Sequence, residues 1–199
     1  MAMTIKKHLA AATAALSLSF TGAAQAWDHE PVSNEELGIL LSMNHGLMEP
    51  PECTYQGKTV SYYGMSGEDM WNNYNQAYGA FAGRLTNDDI IIVIDKNLFP
   101  RLPHLLQDQI YKHECAHFTA GDLDGPPEEN TERDQVEEDR ADCTSITQMR
   151  AEGLTQEQLD TIITYHKALA YGYRLPEDLI KARSENFQSC FDNGPAIAP

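Results

Sequence analysis

The clearest strand pattern in the chain is residues 89–95, DIIIVID, a run of β-branched residues between two aspartates. An apolar run this short without polar alternation is typical of a strand buried on both faces. We therefore predict the central strand of a sheet here. A second, shorter strand is predicted at residues 59–63, between a pair of prolines and the turn residues Gly64 and Gly67.

Elsewhere the apolar residues recur at helical spacing. Positions 106, 110, 113 and 117 are apolar or histidine and lie on one face of a helix that starts near Leu105. Ser33 and Thr131 are suitable N-caps, and Gly153 is suited to end a helix. Further helices are predicted at residues 33–48, 70–83, 132–151, 154–171 and 176–191. The pattern predicts an α+β fold that is mostly helical with a short sheet.

The first 26 residues have the pattern of a secretory signal peptide. They carry two lysines and no acidic residue, then an apolar run at 9–20, then small residues ending in Ala-Gln-Ala. Cleavage is expected after Ala26, so that the mature chain begins at Trp27. The run is too short to span a bilayer, which disfavours an uncleaved anchor. We expect a periplasmic or secreted protein with no membrane span after cleavage.

Length and charge narrow the classes of partner. Residues 27–199 suit a single domain with its own core. The formal net charge of −16 repels nucleic acid and anionic membranes, so neutral or cationic partners are favoured. The oligomeric state is left open.

The four cysteines all follow the predicted cleavage point. An even number in an exported chain predicts two disulfides, with three possible connectivities. The chain contains no CxxC pair, which disfavours a zinc ribbon or a thioredoxin-like redox site.

Residues 112–118 read KHECAHF, with two histidines four positions apart. On a helix His113 and His117 project from one face and can bind the same metal ion. Glu114 lies beside that face. Metal-dependent hydrolysis needs such a carboxylate, because the group that deprotonates water must not be used as a ligand.

A catalytic zinc ion usually has three protein ligands and one open position. The next predicted helix contains residues 138–142, EDRAD, with two carboxylates four positions apart. Glu138 is placed to complete the site, and Asp142 is placed to orient a histidine ligand.

These motifs resemble the gluzincin class of zinc metallopeptidases, in which HExxH on one helix is followed by ExxxD on the next. The resemblance covers residues 89–150 and implies a small zincin-like domain, whose sheet packs against both motif helices. It implies that His113, His117 and Glu138 bind zinc, that Glu114 is the general base and acid, and that Asp142 supports His113. In this class the strand before the first helix borders the groove for a peptide or protein substrate.

The cysteines inside both motifs make the chain similar to small exported bacterial zincin-like proteins. Cys115 lies about 200° around the helix from His113, so it is expected to form a disulfide or pack in the core and not to bind the same ion. We favour a Cys115–Cys143 disulfide, which would tie the two motif helices together, and a Cys53–Cys190 disulfide, which would close the chain ends. A metzincin is disfavoured, because Leu123 stands where that class has a third histidine.

Other acidic residues in the connection compete with Glu138 for the third position. Most are expected to be solvated, and a calcium site at residues 122–130 is a weaker alternative without regular ligand spacing. These competitors are Asp122, Asp124, Glu128, Glu129, Glu132, Asp134 and Glu137.

A peptidase also needs a donor that stabilises the oxyanion. The candidates are Tyr165, His166, Tyr171 and Tyr173, although each lies in an amphipathic segment where aromatic residues more often pack in the core. The remaining histidines of the mature chain have no partner motif and are interpreted as surface or packing residues. They are His29, His45 and His104.

The sequence thus predicts an exported zinc-dependent hydrolase, most simply a metallopeptidase in which Glu114 activates water. One alternative is a non-catalytic periplasmic metal-binding or interaction protein with a zincin-like fold. Another is a hydrolase that cleaves cell-wall peptides or amides with the same zinc chemistry.

Overall fold

A computed structural model describes residues 44–74, 79–84, 89–123, 135–172 and 175–194. The predicted signal peptide, its cleavage site, residues 33–43 of the first predicted helix, His29 and Tyr173 lie outside these residues. So do Asp124, Glu128, Glu129, Glu132 and Asp134 of the acidic connection. Within the described part of the chain, no helix is long and apolar enough to cross a membrane.

Five strands and five helices give a mixed α+β architecture in these residues. The strands are β1 (Thr54–Tyr55), β2 (Lys58–Thr59), β3 (Ser61–Met65), β4 (Ala80–Arg84) and β5 (Ile90–Asp95). The helices are α1 (Gly67–Tyr74), α2 (His104–Ala120), α3 (Gln135–Ala151), α4 (Gln156–Gly172) and α5 (Glu177–Asn193). The sequence-based predictions of α2, α4 and α5 are confirmed to within two residues at each end. Helix α3 is confirmed from Gln135, and its predicted cap at Thr131 lies outside the described residues.

Strand β5 is the central strand of a three-stranded sheet with the order β3-β5-β4. Strand β3 pairs with it in parallel and β4 pairs with it antiparallel. Ile92 belongs to the main core, which also contains Leu106 and Phe118 of α2, whereas Val93 on the opposite face packs with Met70. The prediction of a central strand buried on both faces is confirmed.

The helix predicted at residues 70–83 is present to Tyr74 and wrong at residues 79–83, whereas residues 75–78 lie outside the described residues. Residues 80–84 form β4, in which Phe81 lies opposite Val93 of β5. Gly79 directly before the strand has a φ of 83°, a left-handed conformation that interrupts a helix. Pairing with the central strand therefore outweighed a weak local helical pattern.

The last residues of the helix predicted at 33–48 are also not helical. Residues 44–50 have no regular secondary structure, and Gly46 has a φ of 76°. The buried side chain of Gln107 on α2 accepts a hydrogen bond from the Met48 amide and donates one to the Gly46 carbonyl. These backbone groups are thus bonded to a side chain instead of to a helix.

Two disulfides are present, but the predicted pairing is wrong. Cys53 pairs with Cys115, and Cys143 pairs with Cys190, with Cα–Cα distances of 5.8 and 5.1 Å. The histidine face of α2 is turned towards α3, and Cys115 lies about 200° around the helix from His113. Cys115 therefore points away from α3 and towards the segment before β1.

Candidate metal centre

Three side chains from α2 and α3 meet at one point. The Nε2 atoms of His113 and His117 lie 3.2 Å apart. Oε2 of Glu138 lies 3.3 Å from Nε2 of His113, and Oε1 lies 3.6 Å from Nε2 of His117. The structure thus brings together the three residues that the sequence predicts as metal ligands, and the group could hold a metal ion.

The separation of the two histidine nitrogens fits a tetrahedral site. Ligand atoms at the usual zinc–nitrogen distance, placed at the corners of a tetrahedron, are about 3.3 Å apart. The two Nε2 atoms, 3.2 Å apart, lie close to that value. Glu138 reaches the two histidines with different oxygens, Oε2 towards His113 and Oε1 towards His117. One ligand atom from each of the three residues lies within 4.8 Å of the other two. Two imidazole nitrogens and a carboxylate oxygen also form a donor set that zinc accepts readily.

The packing of α2 against α3 determines the burial of the centre. His113 and His117 are 5% and 0% exposed because their face of α2 is covered by α3. The side chain of Glu138 is 33% exposed, so the centre is closed on the histidine side and opens towards solvent beside the carboxylate.

On its far side His113 is held by a chain of charged groups that crosses three helices. Its Nδ1 lies 2.7 Å from Oδ1 of Asp142 on α3. The guanidinium of Arg183 on α5 donates from Nη2 to the same Oδ1, and its Nε lies 2.7 Å from Oδ2. The prediction that Asp142 lies behind His113 agrees with this arrangement. Arg183 was missed, since no spacing rule relates α5 to the motif helices.

The electrostatics of this chain favour positive charge at the centre. Burial alone would lower the pKa of His113, but Asp142 and Glu138 raise it to about 10. Burial would raise the pKa of the Asp142 carboxyl, but Arg183 and His113 lower it to about 2. Without a metal ion the site therefore holds a proton on His113, which a divalent cation would displace.

His117 has a matching support, which the sequence analysis missed. Its Nδ1 lies 2.8 Å from Oδ2 of Asp122, whose Oδ1 accepts a hydrogen bond from Nη2 of Arg140 on α3. Asp122 was counted among the solvated acidic residues, but its side chain is 1% exposed. Both carboxylate oxygens of Asp122 are therefore occupied, one by His117 and one by Arg140. Asp122 thus lends no support to the alternative of a calcium site at residues 122–130.

Glu114 is buried beside the centre without belonging to the group of three ligand atoms. It is 5% exposed. Burial would lower the pKa of the Arg183 guanidinium, but the charges of Asp142, Glu138 and Glu114 raise it. Glu114 therefore adds to the negative charge that acts on Arg183, as Glu138 does.

The predicted oxyanion donors on α4 have other contacts. Tyr165 packs against the main core, and burial raises its pKa. Nε2 of His166 lies 2.8 Å from Oε1 of Gln109, and the His166 ring packs 5.0 Å from that of Phe187. Burial and the positive charge of Arg183 lower the pKa of His166 to about 3, so its ring is neutral.

Burial and Glu177 raise the pKa of Tyr171 at the end of α4. An oxyanion donor thus remains a prediction. His45 and His104 agree with their interpretation as surface or packing residues, since His104 is exposed and its Nε2 lies 2.9 Å from the His45 carbonyl oxygen.

Comparisons with known proteins identify no relative. No protein-family model, no curated protein and no solved structure matches this chain. The function is therefore inferred from the geometry of the site.

Proposed function

We propose that the protein is an exported zinc-dependent hydrolase of the gluzincin type, with a zincin-like fold and peptide substrates. The convergence of His113, His117 and Glu138, with one ligand atom from each within 4.8 Å of the others, is the observation that carries this proposal. Two disulfides are consistent with an oxidising compartment and thus with export.

The histidines are arranged to offer their Nε2 lone pairs to a metal ion. Each Nδ1 lies next to a buried aspartate, and an Nδ1–H that donates to a carboxylate leaves Nε2 unprotonated. Glu138 adds one negative charge on the open side of the centre. A zinc ion bound here would polarise the scissile carbonyl and lower the pKa of water.

Glu114 is the residue suited to move the proton. Its carboxylate would accept a proton from the attacking water while the water oxygen bonds to the carbonyl carbon. The same carboxyl would then donate the proton to the amine nitrogen as the carbon–nitrogen bond breaks. Burial of Glu114 excludes bulk water from this transfer, and Asp142 and Asp122 hold the two histidines in place meanwhile.

The proposal is tested by measuring metal content and hydrolysis on the same preparations. Mature protein purified without chelators should contain about one zinc ion per chain by mass spectrometry. Glu138→Gln should lose the metal, whereas Glu137→Gln, a matched change at the adjacent position, should retain it. Substrates should include fluorogenic peptide libraries and cell-wall peptides, which separates a peptidase from a cell-wall hydrolase.

Glu114→Gln separates binding from catalysis. It should keep its zinc and lose activity by about 100-fold or more. Hydrolysis at the wild-type rate in this variant would refute the role of Glu114. If the wild type binds about one zinc ion per chain but hydrolyses neither substrate class, the non-catalytic metal-binding alternative is favoured.

A further inference from the structure

We propose that Asp122 and Arg140 form a second positioning unit, which holds His117 in the tautomer and orientation needed to bind the metal and fixes the distance between the two ligand helices. The inference rests on the proposed metal site and goes beyond it, since neither residue belongs to the HExxH or ExxxD motif. Both act through His117 and do not contact the metal themselves.

The turn after α2 brings Asp122 back to the histidine. Gly121 ends the helix with a φ of 81°, in the left-handed region that favours glycine. The Asp122 amide then donates to the carbonyl oxygen of His117 at 3.0 Å. With its backbone attached to the residue that it supports, Asp122 places Oδ2 2.8 Å from Nδ1 of His117.

Burial makes this contact specific. The side chains of His117 and Asp122 are 0% and 1% exposed, so water does not compete for Nδ1 or for the carboxylate. A carboxylate behind a histidine ligand selects the tautomer with hydrogen on Nδ1 and makes Nε2 a better donor to a metal ion.

Arg140 connects this unit to the third ligand. It lies on α3, two residues after Glu138, and donates to the Asp122 oxygen that does not face His117. The contact ties the turn after the first ligand helix to the helix that carries Glu138. Losing it should therefore affect how Glu138 meets the two histidines.

The charges of the whole centre support this assignment. Asp122 is paired with Arg140, and Asp142 is paired with Arg183, so both supporting carboxylates have their charge balanced. With neutral histidines, Glu138 and Glu114 then contribute two negative charges, which match a divalent cation.

The test measures zinc affinity by competition with a chromophoric chelator. Asp122→Ala should bind zinc about 10- to 100-fold more weakly than the wild type. Asp122→Asn keeps an acceptor for Nδ1–H and should recover part of the loss. Arg140→Met keeps the carboxylate and should show a smaller loss than Asp122→Ala. The control is Asp160→Asn on α4, which removes an exposed carboxylate with a Gln156 contact and should not change the affinity.

A second readout reports on His117 alone. Nitrogen-15 NMR of the zinc-loaded protein should show a protected Nδ1–H on His117 in the wild type and in Asp122→Asn. In Asp122→Ala this proton should exchange rapidly with water. A residue with only a structural role would lower stability without changing this signal.

The outcomes separate this inference from the proposed function. If Asp122→Ala keeps wild-type affinity and a protected Nδ1–H, the inference is wrong and the metal site stands. If Asp122→Ala does not fold, wild-type affinity in both Asp122→Asn and Arg140→Met overturns it. A wild type that binds no zinc overturns both, whereas zinc binding without hydrolysis removes only the enzymatic proposal.

Discussion

The two histidines of the centre have the same support chemistry built from different parts of the fold. His113 is backed by Asp142 and Arg183 from two other helices, whereas Asp122 follows His117 by five residues in the chain. The Arg183 side chain is 33% exposed and that of Arg140 is 46% exposed. The His113 support thus depends on tertiary packing, and the His117 support depends on a local turn with a more solvated cation.

This difference indicates where each support is vulnerable. The His113 support fails when α5 moves, because Arg183 is carried by that helix. The His117 support fails when the turn at Gly121 changes, because that turn carries Asp122. Three predictions test this contrast.

The largest loss of stability is expected when a disulfide is removed. Replacing either pair by alanines should destabilise the protein by about 4 kcal/mol, since the loops they close have similar lengths, with sequence separations of 47 and 62. Only the Cys143–Cys190 bond joins α3 to α5, the helices of Asp142 and Arg183. Its removal should therefore weaken zinc binding more than removal of Cys53–Cys115.

Chemical unfolding of the metal-free variants and zinc competition would measure the two effects. Equal losses of zinc affinity in the two double variants would contradict the role assigned to α5.

The next effect concerns the two aspartates in the metal-free protein. Asp142→Ala leaves the buried His113 and the partly exposed Arg183 without their shared carboxylate and should cost about 3 kcal/mol of unfolding free energy. Asp122→Ala should cost less, about 2 kcal/mol, because it leaves the buried Nδ1 of His117 without its acceptor but the more exposed Arg140 can turn to water. Urea titrations, with Asp160→Ala as the exposed control, check the ranking. If Asp122→Ala lost more unfolding free energy than Asp142→Ala, the His117 support would be the more important of the two for stability.

The smallest effect is a pH dependence next to the His113 support. The pKa of His166 is about 3 in the fold, against 6.5 when exposed, so the unfolded chain binds more protons and acid destabilises the fold. Between pH 6.5 and 5 this contributes about 1.5 kcal/mol. His166→Gln keeps an amide donor near Gln109 but does not titrate. Between pH 6.5 and 5 its free energy of unfolding should therefore fall by about 1.5 kcal/mol less than that of the wild type. Urea titrations of both metal-free proteins at the two pH values measure the difference, and identical losses would be evidence against the low pKa.

The fold was predictable where one local pattern dominates. The β-branched run at Ile90–Asp95 and the helical spacing from residue 106 identified the central strand and the first ligand helix. Strand β4 was not predictable in this way, because its alternation is weak and its pairing with β5 is the main reason for its conformation. The predicted metal site already turned the histidine face of α2 towards α3, so the 200° between His113 and Cys115 argued against Cys115–Cys143. Which segment lies against the far side of α2 is a tertiary fact that helix phase does not contain.

The centre shows the same division. His113, His117, Glu138 and Asp142 follow from spacing on two helices, because helical geometry converts sequence separation into direction. Asp122 lies among many acidic residues, and only the left-handed Gly121 distinguishes its position. Arg183 lies 41 residues beyond its partner Asp142, and no local rule connects them.

The sequence separations of the supporting residues predict the order in which the two histidine supports form during folding. The His117–Asp122 contact closes over five residues and can form as soon as α2 and its turn exist, whereas the link from Asp142 to Arg183 closes over 41 residues. Helix α5 is the last described element of the chain and is fixed to α3 by the Cys143–Cys190 bond. A nascent chain would therefore present both histidines early and gain the full support of His113 only after α5 has packed against α3, so that strong metal retention would mark the finished molecule.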